Sequence, residues 1–329
     1  MLKKREQNEF NELLLQLYRI ARELPISEFQ DAALNLVKLV LPFDSSLWGT
    51  AEGKDDGVDI HTVHLHNQAP EMLAAYEPVK HLDTAVAPLF ALPRATRGFN
   101  NLEAWFPEPG QREILNVMRR FEIENMLATI VTDQRTKFAH WILLYRAASS
   151  ATYSADDIAR LELLAPHVME ALAINRKVHL EGLQPPGADA PPRGSAIADL
   201  RGMVYYADPG FVAMLRAEWR DWPDDVLPPS LLQHFIHGHE RFRGSSIVVR
   251  HRVEQGLLFL NSRPRCRADG LSPREHTIAH LVSRGDSHKE IAKTLGRAPA
   301  TVRNQIRSIY EKLSVNNVAG MIEELRRVD

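Results

Sequence analysis

Apolar residues recur at helical spacing through the first forty positions. Phe10, Leu13, Leu14, Leu17 and Ile20 form one stripe within residues 2–24, and Phe29, Ala33, Leu36, Val37 and Val40 form a second stripe after Pro25. The pattern then changes to strands. Residues 46–51 and 58–65 read as strands separated by the turn-forming GKDDG, and FAHWILLYR at 138–146 reads as a buried strand. Ser154 and Asp157 are placed as a capping box at the head of a long helix. That helix carries Ile158, Leu161, Ala165, Val168 and Leu172, with a kink expected near Pro166.

QPPGADAPPRGS, residues 184–195, reads as a linker because its prolines and glycines do not hold regular structure. Residues 196–263 then predict a hairpin around Gly202, a short helix carrying Phe211 and Leu215, and strands at 246–253 and 257–261. No internal repeat is visible. The fold class expected is α+β multidomain, with bodies at 1–183 and 196–263 and a helical module at 264–329.

Composition changes this picture in two ways. The chain of 329 residues is 44% hydrophobic and 25% charged, which suits two or three globular domains and excludes a disordered chain. The net charge of −2 conceals an asymmetry. Residues 264–329 hold 12 Lys+Arg against 8 Asp+Glu, a balance of +4, leaving −6 on the rest. A basic module on an acidic body points to nucleic acid at the C-terminus. The first apolar stretch, Leu13–Ala21, is interrupted by Gln16 and Arg19, so neither a signal core nor a bilayer span is expected and a cytoplasmic location is the default.

The C-terminal module carries the most specific signals. Ser272, Pro273 and Glu275 start one helix, Ser287 and Glu290 a second, and Gly285 and Gly296 stop them. Pro299 opens a third helix with Val302, Ile306, Ile309 and Leu313 on one face. Its opposite face displays Arg303, Asn304 and Arg307. Arginine pairs bidentately with guanine and asparagine with adenine in the major groove, so these three are the candidate base contacts. Ser287, Lys289, Thr301 and Lys312 are the candidate phosphate contacts.

LSPREHTIAHLVSRGDSHKEIAKTLGRAPATVRNQIRSIYEKLSV resembles the LuxR/FixJ-type helix-turn-helix over about 60 residues. Leu271–Glu275, Gly285, Lys289–Ala292, Leu295, Thr301–Val302 and Lys312–Leu313 carry the resemblance. Gln305 stands where a histidine is frequent, and Ala298 where a polar cap is usual. The resemblance implies a transcription regulator bound to double-stranded DNA as a homodimer, with RNA polymerase as a further partner. It also implies a dimer helix carrying Val318, Met321, Ile322 and Leu325.

The body resembles sensory domains. Residues 1–183, with FDSSLW and SADDIARLELLAPHVMEAL, resemble a GAF-type domain, and ADLRGMVYYADPGF after the linker resembles the opening of a PAS-type domain. Both imply a small-molecule effector or dimer rearrangement, and neither implies catalysis. The alternatives are a body that only dimerises or engages proteins, or an enzyme fused to the module. Trp48, Trp105, Phe121, Trp141 and Tyr145 are the candidate pocket residues. Acyl-homoserine-lactone receptors share the module, but their Trp-x3-Tyr…Asp-Pro pattern is absent from the first domain, which disfavours that effector. Asp55–Asp56 lie in a glycine turn, unlike a phosphoacceptor pair, and no GxxxxGK[ST] or GxSxG motif occurs.

The histidine groups HTVHLH (61–66) and QHFIHGHE (233–240) lack a further ligand cluster at recognisable spacing, so no metal or other cofactor is expected. Cys266, the single cysteine, lies in RPRCR, where flanking arginines could lower its pKa and make it a redox switch. An incidental surface thiol is the commoner outcome.

Overall fold

A computed structural model describes residues 4–54, 57–183 and 193–328. Asp55, Asp56 and linker positions 184–192 lie outside the described residues. The chain divides into two units.

The first unit begins with α1 (Lys4–Glu23) and α2 (Ile26–Val40), followed by β1 (Ser45–Lys54) and β2 (Gly57–His66). A connecting region holds α3 (Glu71–Tyr76) and two 3-10 turns, Glu77–Leu82 and Ala87–Ala91. Then come β3 (Arg94–Phe99), α4 (Leu102–Trp105), α5 (Arg112–Arg120), β4 (Asn125–Thr132), β5 (Phe138–Arg146) and α6 (Ala155–Gly182). The strands form one antiparallel sheet in the order β2-β1-β5-β4-β3.

Alternation along the strands gives the sheet two apolar faces. Trp48, Leu127, Ile142 and Leu144 pack with Leu17, Phe29, Leu34, Leu161 and Val168 of α1, α2 and α6. Leu47, Met126, Ile130, Trp141 and Tyr145 point the other way, toward the connecting region. The Ser154–Asp157 capping box forms as expected, and α6 continues through Pro166 to Gly182. Buried Asn175 of α6 donates to the carbonyls of Ala21 and Leu24 at 3.1 and 2.8 Å, satisfying the end of α1.

Strand β2 contains a bulge. Thr50 pairs with Thr62, but Ala51 pairs with Ile60, leaving His61 as the extra residue. Residues of equal parity on its two sides therefore face opposite ways. Val58 and Ile60 join the cluster around Trp141, whereas Thr62 meets Thr50 on the helix-bearing face.

The second unit contains β6 (Gly194–Asp199), β7 (Val204–Ala207), α7 (Pro209–Glu218), α8 (Pro229–Ile236), β8 (Arg241–Arg243), β9 (Ile247–Glu254) and β10 (Leu257–Pro264). Gly194 and Ser195, read from sequence as linker, open β6. The sheet order is β7-β6-β10-β9-β8, the same relative order as in the first unit. Phe211, Leu215, Trp222, Leu227, Leu231 and Phe235 close one face over Val249, Leu258 and Leu260. Asp208 caps α7 by accepting from the Phe211 amide at 2.7 Å, with Pro209 at the first helical position.

A 3-10 turn, Arg267–Gly270, leads into α9 (Pro273–Ser283), α10 (His288–Thr294), α11 (Pro299–Leu313) and α12 (Val318–Arg326). Asp269 in that turn is fully buried. It accepts from Arg263 of β10 at 2.6 and 2.7 Å, from the Cys266 amide at 3.0 Å, and from Arg241 of β8. This ionic lock joins the second sheet to the helical module. Among the described residues, no helix is long and apolar enough to cross a membrane.

Candidate nucleic-acid interface and ligand cavity

The helical module is assembled by local rules. Ser272 accepts from the Glu275 amide while Glu275 accepts from the Ser272 amide, and Ser287 and Glu290 repeat the arrangement. Gly285 and Gly296 terminate α9 and α10 at φ +96° and +61°, the left-handed region that glycine enters without a Cβ penalty. Ile278, Ile291, Val302, Ile309, Leu313, Met321 and Leu325 fill a common core. α11 has no side-chain cap at Ala298, as its sequence implies.

Arg303, Asn304 and Arg307 stand exposed on α11, opposite Val302 and Ile309. Arg303 lies 3.2 Å from His288 Nε2 on α10. Arg307 bonds Glu311 at 3.1 Å with both side chains largely in water, a contact too weak to hold the guanidinium against a competing base. Lys289 and Thr301 are exposed beside this face.

Two of the candidate phosphate contacts, Ser287 and Lys312, are engaged within the module itself. The amide and hydroxyl of Ser287 are both engaged in its capping box. Lys312 donates to both carboxylate oxygens of Glu275 at 2.7 and 2.8 Å, bracing α11 against α9. That ammonium holds the Glu275 carboxyl below its usual range. On α12, Met321 and Leu325 are buried within the module's own core, which corrects their reading as a dimer face. Val318 is exposed and Ile322 half-buried.

The first unit contains a partly open cavity of about 710 Å³, a size suited to a small organic molecule. Its wall is the sheet face bearing Leu47, Ile130, Leu143 and Tyr145, and its lid is the connecting region. Of the five aromatic candidates, Trp105, Trp141 and Tyr145 line it. Trp48 is buried on the opposite face against Phe29, because alternation gives the cavity position to Leu47. Phe121 packs in the surrounding core without lining the space. The Trp141 ring lies over Gly49, where an added Cβ would meet it at 2.6 Å.

Sequence reasoning missed the polar end of this cavity. Asp83 accepts from the Tyr76 hydroxyl at 2.8 Å and from the Ala85 and Val86 amides at 3.0 and 3.3 Å. Burial pushes its carboxyl above the ordinary range despite these bonds, and burial with Asp83 pushes the Tyr76 phenol up. The indole N–H groups of Trp105 and Trp141 are buried without a hydrogen-bond partner. Each costs about 1–3 kcal/mol if nothing accepts from it. The Tyr76–Asp83 spacing and an acidic residue ahead of a proline-containing turn were the available signals.

The remaining expectations are corrected or narrowed. Cys266 is not an activated thiol: burial and Asp269 push its pKa up, while Arg263 pairs with Asp269 and Arg265 bonds the Gly244 carbonyl. His234 Nε2 and His237 Nδ1 lie 2.9 and 2.6 Å from the carbonyls of Arg241 and Gln233, so one ring nitrogen of each is engaged by backbone.

Comparison with known proteins gives a family match confined to the C-terminal module. Residues 269–324 match the model for bacterial regulatory proteins, luxR family. The chain is 42% identical over 75 residues to the transcriptional regulatory protein MctR of Rhizobium johnstonii, a match spanning 23% of this chain and 30% of that relative. Among solved structures, similarity extends to the N-acylhomoserine lactone dependent LuxR family factor CepR2 of Burkholderia cenocepacia, at 16% identity over 52% of this chain and 98% of that one, with a TM-score of 0.40. It extends to Escherichia coli SdiA at 10% identity, 97% and 100% coverage and TM-score 0.40. A phycoerythrobilin-bound GAF domain from a cyanobacterial phytochrome gives 11% identity, 51% and 97% coverage and TM-score 0.34. These structural likenesses are coarse, whereas the sequence match at the C-terminus is specific. The module at the end of this chain is a luxR-family helix-turn-helix domain.

Proposed function

We propose that the chain is a sequence-specific DNA-binding transcription regulator in which α11 enters the major groove. The observation that carries this reading is the exposed Arg303–Asn304–Arg307 face, set on a helix whose other side is locked into the module core. Arg303, Asn304 and Arg307 read base edges. Lys289 and Thr301 hold phosphates, as do the amides that follow Ser287, and Lys312 chiefly positions α11 through Glu275. Binding as a homodimer sets two recognition helices about one turn (~34 Å) apart, with Val318 and Ile322 available for the dimer contact.

Titrations of a preferred site across salt concentrations test the division of roles. Arg303→Ala costs about 1–3 kcal/mol at that site and relaxes base preference. Lys289→Ala weakens all sequences alike and lowers the salt slope by about one. Equal behaviour of the two variants would overturn the assignment.

The cavity supports a small-molecule effector with an apolar body and a polar head. The head would pair with Tyr76 and Asp83, which line the cavity together, while the apolar body packs on Leu47, Ile130 and Trp141. Such a ligand controls DNA binding only to the extent that it binds two arrangements of the protein differently. Native mass spectrometry of the purified full chain tests for a retained molecule. A bound species lost in the Asp83→Asn/Trp141→Phe variant supports the reading, and identical spectra contradict it.

A further inference from the structure

On the helix-bearing face of the first sheet, beyond the bulge, His64 and His66 of β2 stand on one side of the strand. Asp31 on α2 meets both. Its Oδ1 lies 3.0 Å from His64 Nε2 and 2.6 Å from His66 Nδ1. The three atoms all lie within 4.8 Å of one another. His66 forms a buried floor, with its side chain 4% exposed and the Phe43 ring edge-on at 5.9 Å. The Asp31 side chain is 51% exposed and that of His64 23%, which leaves a mouth open to solvent.

Two imidazole nitrogens and a carboxylate oxygen around an open fourth position suit a first-row divalent ion such as zinc. Tetrahedral bonds of about 2.0–2.1 Å separate ligand atoms by roughly 3.3 Å. The Asp31 carboxylate sits a few tenths of an ångström too close for this, and a small torsion of a half-exposed side chain supplies the opening. Calcium and magnesium take six or more oxygens, which this set does not offer.

We propose that Asp31, His64 and His66 form a binding site for a divalent transition-metal ion, with water completing the coordination. The ion would pin α2 to the edge strand β2. Val58 and Ile60 of that same strand line the cavity on the opposite face, so the metal braces the cavity wall without touching its contents. The competing arrangement has no metal, with both imidazoles donating to the one carboxylate oxygen.

The test uses the full-length protein stripped with a chelator, then dialysed against zinc chloride in the presence of a competing chromophoric chelator. One tightly held zinc per chain is expected, accompanied by a rise in melting temperature. Asp31→Asn and His64→Gln alter partly exposed positions, so their melting without zinc should match the parent. Each should weaken zinc binding at least tenfold, and His66→Gln should do the same. Absence of tight zinc in the parent leaves only the hydrogen-bonded cluster and overturns the proposal. Full retention of zinc by Asp31→Asn and His64→Gln places the ion elsewhere, the cluster of Glu52, Asp59 and His61 being the alternative among the described residues, and overturns it equally.

Discussion

Two five-stranded sheets in this chain share one strand order and differ in what covers them. In the first unit the covering segments stand off the sheet and leave a cavity lined by Asp83 and Tyr76 together with Trp105 and Trp141. In the second, Phe211, Trp222, Leu231 and Phe235 close the face, and charge is concentrated in the Asp269 lock to the helix-turn-helix module. Topology is common to both, and side-chain choice gives one a ligand-sized space and the other an ion-paired attachment. Function follows the site and not the strand order.

The largest effect expected is on the lock. Asp269→Asn leaves Arg263 buried without its anion and Arg241 without its partner, and should destabilise the second unit by about 3–5 kcal/mol in denaturant unfolding. Burial opposes the Asp269 charge, but Arg263 and the Cys266 amide hold its carboxyl well below the usual range. A depressed native pKa means the stabilisation is present above the unfolded value near 3.9 and is lost as pH falls through the native one. Acid unfolding of the second unit should therefore steepen below about pH 4, and Asp269→Asn should flatten that limb.

Next in size is a paired enlargement that sets the two sheets directly against each other. Leu260→Phe overfills the closed face of the second sheet and should cost about 1–3 kcal/mol. Leu143→Phe adds its ring atoms into the cavity, so it should leave stability nearly unchanged while displacing any retained ligand. Equal destabilisation by the two would mean the cavity is not the open space described. The smallest effect is Glu275→Gln. Its partner Lys312 is 46% exposed, so losing the ion pair should cost only about 0.2–1 kcal/mol, read from the melting of the full chain.

The helix-turn-helix was legible in the sequence because its determinants are local. Ser272 and Glu275, or Ser287 and Glu290, lie three residues apart, and each glycine stop acts on the turn beside it. The cavity was only partly legible. Its lining comes from segments between Leu47 and Tyr145 that meet only through strand pairing, and β3, β4 and the lid carry weak periodicity. Trp48 was misplaced because face assignment depends on which neighbour is buried, a tertiary fact. Met321 and Leu325 look like an interface stripe in sequence, but in a four-helix module so small the same stripe is needed for the core. The bulge at His61 reverses the face of every later residue in β2, and Asp31 lies 33 residues from His64, so their meeting depends on α2 packing and not on spacing.

If α11 reads DNA sequence, base selectivity rests on Arg303 and Arg307. The most direct measurement selects binding sites from a random duplex pool with the full-length protein, beside the Arg303→Ala/Arg307→Ala variant. A two-fold symmetric motif enriched by the parent and lost in the variant is the result predicted. The same motif enriched by both proteins would contradict it, since the bases would then be read by some other part of the chain.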